Sequence, residues 1–498
     1  MDTTELPLNL FSDGTRRIKH FREDNVDWFS SLPDSLVVHI FSFLKMEEII
    51  RTSILSRRFR YLYLSVPYLD FDSEELSAKL GDQYCMRTYL DDFMSQRNEN
   101  RMLRFRLRWL CFEPQSDENR IVAWLCNVLH CGVQELDIEI SIGRQGTFIL
   151  PAMSSFSCGY LEVLKLNLHG GHLVLPSSVF LSLRILSMKS VRIFHDSFGD
   201  WISSSCQRLE TLNLENVTGI VKLHVTHSFL EHLLISQRSG NLLNRIDVSC
   251  ESLKTLSIKW FFQLHKTRSL NISAPNLQKF KWMGNIVSHY SLKNIICLQD
   301  TMLFLVPPQP GVMDMESFKV VDLLHTIKHA RVLELNCWLI EALSRQDCLP
   351  PSLYDLQDLV MDISCLKDSI IPALASILKK SPHIKHLTIR GCGRLGLVIP
   401  GNVAAGKFGM IFWENEHFTN LRELRTVEME LRGGKNERAF LLHLIRQGKV
   451  LEKITIHTRV THLWLTATDQ FLQGVKWASP SLQICFVESQ SGQDLLNE

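Results

Sequence analysis

One spacing recurs through most of this chain and limits what it can fold into: apolar-x-x-apolar-x-apolar. It appears as Val133-Leu136-Ile138, Leu161-Leu164-Leu166, Leu183-Leu186-Met188, Leu209-Leu212-Leu214, Leu230-Leu233-Ile235, Leu253-Leu256-Ile258 and Leu277-Phe280-Trp282. By the numbers of their first residues, these copies begin 28, 22, 26, 21, 23 and 24 residues apart. Later copies are Leu356-Leu359-Met361, Ile384-Leu387-Ile389 and Leu451-Ile454-Ile456, with weaker ones at Ala330-Leu333-Leu335 and Leu424-Val427-Met429. Between 277 and 330 the pattern fades, and Leu298 and Leu303 mark a degenerate copy. The last two apolar positions of each copy alternate, as in a short strand with one face turned inward. One such unit cannot bury its apolar face, but stacked neighbours can. The expectation is a curved parallel sheet of about twelve strands. Leu136, Leu164, Leu186, Leu212, Leu233 and Leu256 should share one buried column. Scattered strands in an ordinary α/β domain are the competing reading, which so many copies of one spacing disfavour.

With 498 residues the chain is too long for one ordinary core, and 45% apolar against 21% charged residues is the balance of a folded chain. The net charge of +1 provides no global field to steer the protein to nucleic acid or an acidic membrane. No stretch approaches the length of an apolar membrane span, and the start, MDTTELPLNLF, is not that of a secretory signal. The 13 cysteines sit mostly in apolar runs such as IVAWLCNVLHC, as buried reduced thiols do. Cys126 and Cys131 have no second pair at zinc spacing, so no metal is expected. These features point to the nucleus or the cytoplasm.

Residues 1–27 are polar and read as a flexible arm, with a short basic cluster at Arg16, Arg17 and Lys19. The pattern then tightens. Ser31 is placed to cap a helix with Pro33 and Asp34 in its first turn. Leu36, Ile40, Phe43 and Leu44 follow as one apolar stripe. A second helix should carry Ile49, Ile50 and Ile54, and a third, from Ser56, should carry Phe59, Leu62 and Tyr63. Three helices in so few residues cannot bury this surface among themselves. Leu32, Pro33, Leu36, Ile40, Leu44 and Phe59 therefore either pack on the next domain or form a face for another protein.

This segment resembles a known family. Leu32-Pro33-Asp34, the Ile40/Phe43-Leu44 stripe, Arg51 through Phe59, Leu64-Ser65-Val66-Pro67 and Leu69-Asp70-Phe71-Asp72 are similar to the F-box motif of plant proteins. The repeats resemble the divergent leucine-rich repeats that follow the F-box in that group. The resemblance implies an α/β fold: a small all-helical F-box, then a curved leucine-rich-repeat solenoid with a parallel sheet. It implies docking to the Skp-type adaptor, and through it a cullin, at Leu32, Pro33, Leu36, Ile40, Leu44 and Phe59. The family usually has Trp where this chain has Phe59, which keeps the aromatic ring but loses area and the indole donor. Further along, HFTNLRELRTVEMELRGGKNERAFLLHLIRQGKVLEKITIH reads as strand, loop, helix and strand, with Asn436 as N-cap and Gly448 as stop. It is similar to the FBD region of many plant F-box proteins. The expected organisation is an arm at 1–27, F-box at 28–72, linker and N-terminal cap at 73–132, repeats at 133–409 and an FBD-like cap at 410–498.

A search for catalysis finds no Walker loop, dinucleotide fingerprint, kinase set or zinc-peptidase motif, and no cofactor is implied. His169-Gly170-Gly171-His172 lacks a nucleophile elbow elsewhere and reads as a repeat turn. Arg432-Gly433-Gly434-Lys435 lacks the rest of a P-loop and reads as an exposed turn. The expectation is a non-catalytic ubiquitin-ligase subunit with a protein substrate on its repeats. A non-degradative scaffold and a small-molecule-gated receptor are the alternatives. Strand alternation puts Glu135, Asp137 and Glu139 on the solvent face of the first repeat, and Lys259, Lys279 and Lys281 in the middle. Asp358, Asp362, His386 and Arg390 come after them. Lys259, Lys279, Lys281 and Arg390 are the candidate substrate contacts, on a face expected to be acidic at its start, basic at its centre and mixed toward its end.

Overall fold

The structure is a computed structural model. It describes residues 31–44, 46–53, 55–75, 83–97, 101–110, 113–142, 146–150, 159–194, 197–238, 240–263, 267–306, 314–344, 350–363, 366–391, 408, 410–415, 422–431, 434–458 and 475–488. The expected arm at 1–27 with Arg16, Arg17 and Lys19, and the turn residues Arg432 and Gly433, lie outside them. The chain forms two compact units, Met1–Ile220 and Val221–Glu498.

In the first unit three helices open the described chain: α1 (Asp34–Phe41), α2 (Met46–Ser53) and α3 (Arg57–Leu62). Pro33, not Ser31, is the N-cap of α1, because its fixed φ of −57° with ψ of 147° turns the chain into the helix while its carbonyl accepts from Leu36 and Val37. Ser56 caps α3 as expected, its hydroxyl accepting from the Phe59 N–H at 3.1 Å. The strands are β1 (Tyr68–Asp72), β2 (Arg104–Trp109), β3 (Glu135–Ile140), β4 (Thr147–Ile149), β5 (Val163–Asn167), β6 (His172–Val174), β7 (Ile185–Lys189) and β8 (Thr211–Glu215). Strands β1, β2, β3, β5, β7 and β8 lie side by side in that order, all parallel. Helices α4 (Gln83–Gln96), α5 (Pro114–His130) and α6 (Phe198–Ser205), and the small β4–β6 pair, make the return segments.

The second unit contains β9 (Lys222–Thr226), β10 (His232–Gln237), β11 (Arg245–Ser249), β12 (Thr255–Trp260), β13 (Ser269–Ser273), β14 (Lys279–Asn285) and β15 (His289–Lys293). After them come β16 (Asp300–Val306), β17 (Val332–Asn336), β18 (Asp358–Asp362), β19 (His386–Arg390), β20 (Thr426–Leu431), β21 (Lys453–Thr458) and β22 (Gln483–Glu488). The even strands β10 to β16 and then β17 to β22 form one parallel sheet in chain order. Strands β9, β11, β13 and β15 form a second parallel sheet of return segments. Alternation in KLHVT, RIDVS and SLNIS explains why these returns are strands. Beyond β15 the returns become helical: α7 (Asp314–Thr326), α8 (Cys337–Leu343), α9 (Ile371–Lys380), α10 (Met410–Asn415) and α11 (Lys435–Gln447). The change is sealed where the Tyr290 hydroxyl donates to the Lys319 carbonyl of α7 at 2.6 Å.

The buried column is present in each unit. Leu69, Phe105, Leu136, Leu164, Leu186 and Leu212 stand in register in the first. Leu233, Leu256, Phe280, Thr301, Leu333, Leu359, Leu387, Val427 and Ile454 do so in the second. All are buried. Each of the twelve sequence copies supplies a main-sheet strand, and four strands go beyond the expected twelve: β1, β2, β16 and β22. Strands β1 and β2 carry the same spacing, Val66-Leu69-Phe71 and Met102-Phe105-Leu107, but 36 and 31 residues separate Val66, Met102 and Val133. Those steps exceed the 21 to 28 residues between the first seven copies, although Leu424 also follows Ile384 by 40. In β16 Thr301 takes the second apolar place, and before β22 Ser481 stands where Leu451 does. His169-Gly170-Gly171-His172 forms the turn between β5 and β6, with His169 at φ 50° and Gly170 at φ 95°.

Candidate functional site

Two solvent-facing surfaces carry the residues singled out by the sequence. The first is on the helical segment. Helix α1 is apolar nearly all round, and it buries Val37 and Phe41. The stripe of Leu36, Ile40, Phe43 and Leu44 lies on its other side. Leu36 is 48% exposed and Phe43 77%, while Ile40 and Leu44 are half-buried. Leu55, in the turn before α3, is 74% exposed. Leu32 is half-buried and Pro33 exposed. The geometry is held by Arg58, whose Nε donates to Asp34 Oδ1 at 2.8 Å and whose Nη2 reaches the Leu32 carbonyl. That clip fastens α3 to the start of α1.

Phe59 is not on this surface. It is only 3% exposed and meets Phe41 edge-on, ring centroids 6.1 Å apart, so it belongs to the core beneath the stripe. Its place in the sequence, three residues into α3 and next to Arg58, turns it toward α1. Leu55 and Phe43 are exposed apolar residues that the sequence pattern does not mark as candidate contacts: Leu55 stands outside the helical periodicity, and Phe43 is in the stripe without being marked. An apolar residue in a turn between two short helices is the signal that could have found Leu55.

The second surface is the solvent face of the strands. In the first unit it is a ladder of alternating charge. Arg106 lies 3.3 Å from Asp70 and 3.9 Å from Asp137, and Arg108 lies 2.8 Å from Asp72 and 3.5 Å from Glu139. Arg104 is 3.5 Å and Lys165 2.9 Å from Glu135. Burial lifts the Asp137 carboxyl above its ordinary pKa, against the pull of Lys165, Arg106 and Arg104. The expectation of an acidic start is therefore corrected. Strand β2, lying in the stretch read as linker and cap, brings three arginines alongside Glu135, Asp137 and Glu139.

In the second unit Lys259, Lys279 and Lys281 are exposed, and they enter no ion pair among the described residues. Lys281 stands opposite Ser257, and Lys259 opposite Met283. Arg390 is half-buried beside Asp362 in the register. Asp362 is 5% exposed and so is not a solvent-face residue as expected; the end of β18 that carries it is buried. His386 Nδ1 lies 2.7 Å from Thr426 Oγ1, and Asp358 is half-buried.

Comparison with known proteins follows the same division. An F-box domain model matches residues 29–66, the helical segment with the exposed stripe. A model described as FBD-associated F-box protein At5g56370, LRR repeats, matches residues 121–303. The chain carries an F-box followed by FBD-associated leucine-rich repeats. Its F-box and repeats are together similar to Arabidopsis thaliana proteins. The F-box/LRR-repeat protein At3g62440 is 28% identical over 395 residues, 74% of this chain and 79% of the relative. The F-box/LRR-repeat protein At4g14103 is 25% identical over 384 residues, 73% of this chain and 92% of the relative. The FBD-associated F-box protein At1g66310 is 26% identical over 291 residues, 57% of this chain and 58% of the relative.

Among the described residues no group of three or more His, Cys, Asp or Glu is placed to hold a metal, and no helix is long and apolar enough to cross a membrane. Burial pushes the Cys206 thiol up to about 12 and the Cys250 thiol up to about 11, so both are protonated at neutral pH and are poor nucleophiles.

Proposed function

We propose that this chain is the substrate-recognition subunit of a cullin-type SCF ubiquitin ligase, working in the nucleus or cytoplasm. The F-box docks a Skp-type adaptor, and through it a cullin, while the solvent face of the repeat strands holds a protein substrate. The supporting observation is that α1 turns its apolar stripe outward when a separate set, Val37, Phe41 and Phe59, already forms its core. Leu36, Ile40, Phe43 and Leu44 then make an outward apolar stripe of the kind that marks a protein interface, with Leu55 a further exposed apolar residue of the same helical segment. The subunit does no chemistry in this reading. It keeps the substrate close to a conjugating enzyme and raises effective concentration.

The test is a triple variant, Leu36→Ser, Phe43→Ser and Leu55→Ser, expressed in full and purified by a tag. Each side chain is exposed in the free subunit, so thermal unfolding should stay within a few degrees of wild type. Truncating a central interface anchor costs about 2 kcal/mol, or roughly thirtyfold in affinity. Adaptor and cullin should therefore be lost from the purified protein. Their recovery at wild-type levels refutes this docking surface.

A further inference from the structure

Four cations on the solvent face of the first unit are paired, whereas three lysines that stand together on β12 and β14 of the second are not. Arg104, Arg106, Arg108 and Lys165 each have a carboxylate within 4 Å. In the second unit Lys254 pairs with Glu231 at 2.7 Å. Lys259, Lys279 and Lys281 have no such partner among the described residues. The nearest carboxylate in the register is Asp300, beside Lys279, and no ion pair joins them.

The register also fixes how the three lysines are spaced. Lys279 and Lys281 are two residues apart on β14, and Lys259 stands on β12 level with Met283, two residues further on. With a rise of about 3.3 Å per residue and about 4.8 Å between strands, the line from Lys279 to Lys259 is roughly 14 Å long, with Lys281 at its middle. In an extended peptide, residues on one side recur every ~6.6 Å, so the first and fifth are ~13 Å apart. Three alternate side chains of an extended segment thus match three lysines. Met283 lies beside Lys259, and Met302 beside Lys281, as half-buried apolar flanks. Gly284 makes the local packing possible: at φ 122°, a Cβ there would come within 2.1 Å of the Trp260 carbonyl.

We infer that Lys279, Lys281 and Lys259 bind an extended segment of a partner protein that carries negative charge at three alternate positions, as glutamate, aspartate or phosphoserine. This rests on the reading of the repeat face as the substrate surface and adds the chemical class of substrate. A nucleic-acid strand fits less well. Its charges are continuous, whereas the three lysines recur only at alternate positions. Strands β12 and β14 offer such a strand only three unpaired lysines, and phosphate-backbone binding gains from many.

The experiment uses the full chain and fluorescence anisotropy. The probes are a labelled peptide with phosphoserine at three alternate positions among alanines, its glutamate counterpart, a peptide with three adjacent glutamates, and oligothymidylate. The alternating peptides should bind at least roughly tenfold more tightly than the adjacent-charge peptide. Their affinity should fall between about 50 and about 300 mM salt, where the Debye length shortens about 2.5-fold. The triple variant Lys259→Glu, Lys279→Glu, Lys281→Glu should lose the binding and the salt dependence. The phosphoserine and glutamate arms separate a modified from an unmodified ligand. Absent binding, equal affinity for the adjacent-charge peptide, an unaffected triple variant, or tighter binding of oligothymidylate each overturns the inference. Cullin co-purification, read on the same preparations, should be unchanged by the triple variant. Its loss in the wild-type chain would count against the ligase reading alone.

Discussion

Asp117 is fully buried and anchors the first helical return by itself. Its Oδ1 accepts from Arg87 Nε at 2.6 Å, and its Oδ2 from Arg87 Nη2 at 3.1 Å, Trp109 Nε1 at 2.9 Å and the Glu113 N–H at 2.9 Å. One carboxylate thereby joins α4, the end of β2 and the start of α5. Burial alone would raise its pKa, but the bonds from Arg87, Trp109 and Glu113 outweigh that and hold it below the ordinary carboxylate value. The folded carboxyl thus stays ionised at neutral pH, and its stabilisation is lost only as pH falls through that lowered value. Asp117→Ala removes the buried partner of Arg87, leaving it only the more exposed Glu113 carboxylate at 3.4 Å, and should destabilise by about 3 kcal/mol. Urea unfolding of the full chain measures it, and a loss below about 1 kcal/mol would contradict this anchoring role. Nothing in sequence spacing links Arg87 to Asp117. Contacts of this kind depend on how helices lie on the sheet, and only the fold reveals them. The same limit explains Phe59: its aromatic character is plain in the sequence, but whether it faces in or out depends on Phe41.

Strands are the most legible elements. One spacing finds twelve of them, because burying alternate residues of stacked strands leaves a periodic imprint in the sequence. Of the other four, β16 carries the degenerate copy with Thr301 in its second place, β22 follows Ser481 where an apolar residue would stand, and β1 and β2 keep the spacing ahead of the first copy singled out. Helix ends are less legible. Asn436, an expected N-cap, is instead buried within α11, with its Nδ2 donating to the Leu366 carbonyl at 2.9 Å and to Asp368 Oδ1 at 2.8 Å. The cap is Gly434, whose N–H donates to Glu437 Oε2 at 3.0 Å. Gly448 stops the helix as expected. On α11, His443 is buried near Trp413, ring centroids 5.9 Å apart, and burial lowers its pKa to about 4. A folded pKa below the unfolded value of about 6.5 means that the unfolded chain takes up the proton first on acidification. Stability should be fully present above pH ~6.5 and fall between there and pH ~4. His443→Leu should flatten that slope. Equal losses in wild type and variant between about pH 7 and about pH 5, read from urea midpoints, would show that His443 is not its source.

At the scale of the first unit, the F-box and the repeats share one core. Helix α2 packs on β1, the first strand of the main sheet. Tyr63, at the end of the F-box helices, packs on Phe93 of α4 at 5.5 Å between ring centroids, and Phe93 on Phe71 of β1 at 5.4 Å. Arg97 Nη2 donates to the Val66 carbonyl at 2.7 Å, and the Leu103 N–H donates to the Pro67 carbonyl at 2.8 Å. No tether separates the two parts, although the sequence motif ends so cleanly that a boundary after Asp72 looks natural. A chain lacking residues 1–72 would lose β1, expose the edge of β2 and strip Phe93 of Tyr63 and Phe71. An uncapped edge and an opened core both favour aggregation. Such a chain should elute in the void volume on size exclusion, where the intact chain runs as a defined species. A soluble truncated chain of normal melting temperature would show that the core is separable. The fusion has a cellular consequence. Under the proposed ligase role, a subunit built as beads on a string could shed its docking module and persist as a decoy, holding substrates without delivering them. In this chain an aberrant transcript or proteolytic cut that removes the three opening helices together with β1 would also ruin the first repeats, so the damaged product would be cleared instead of competing with the intact one.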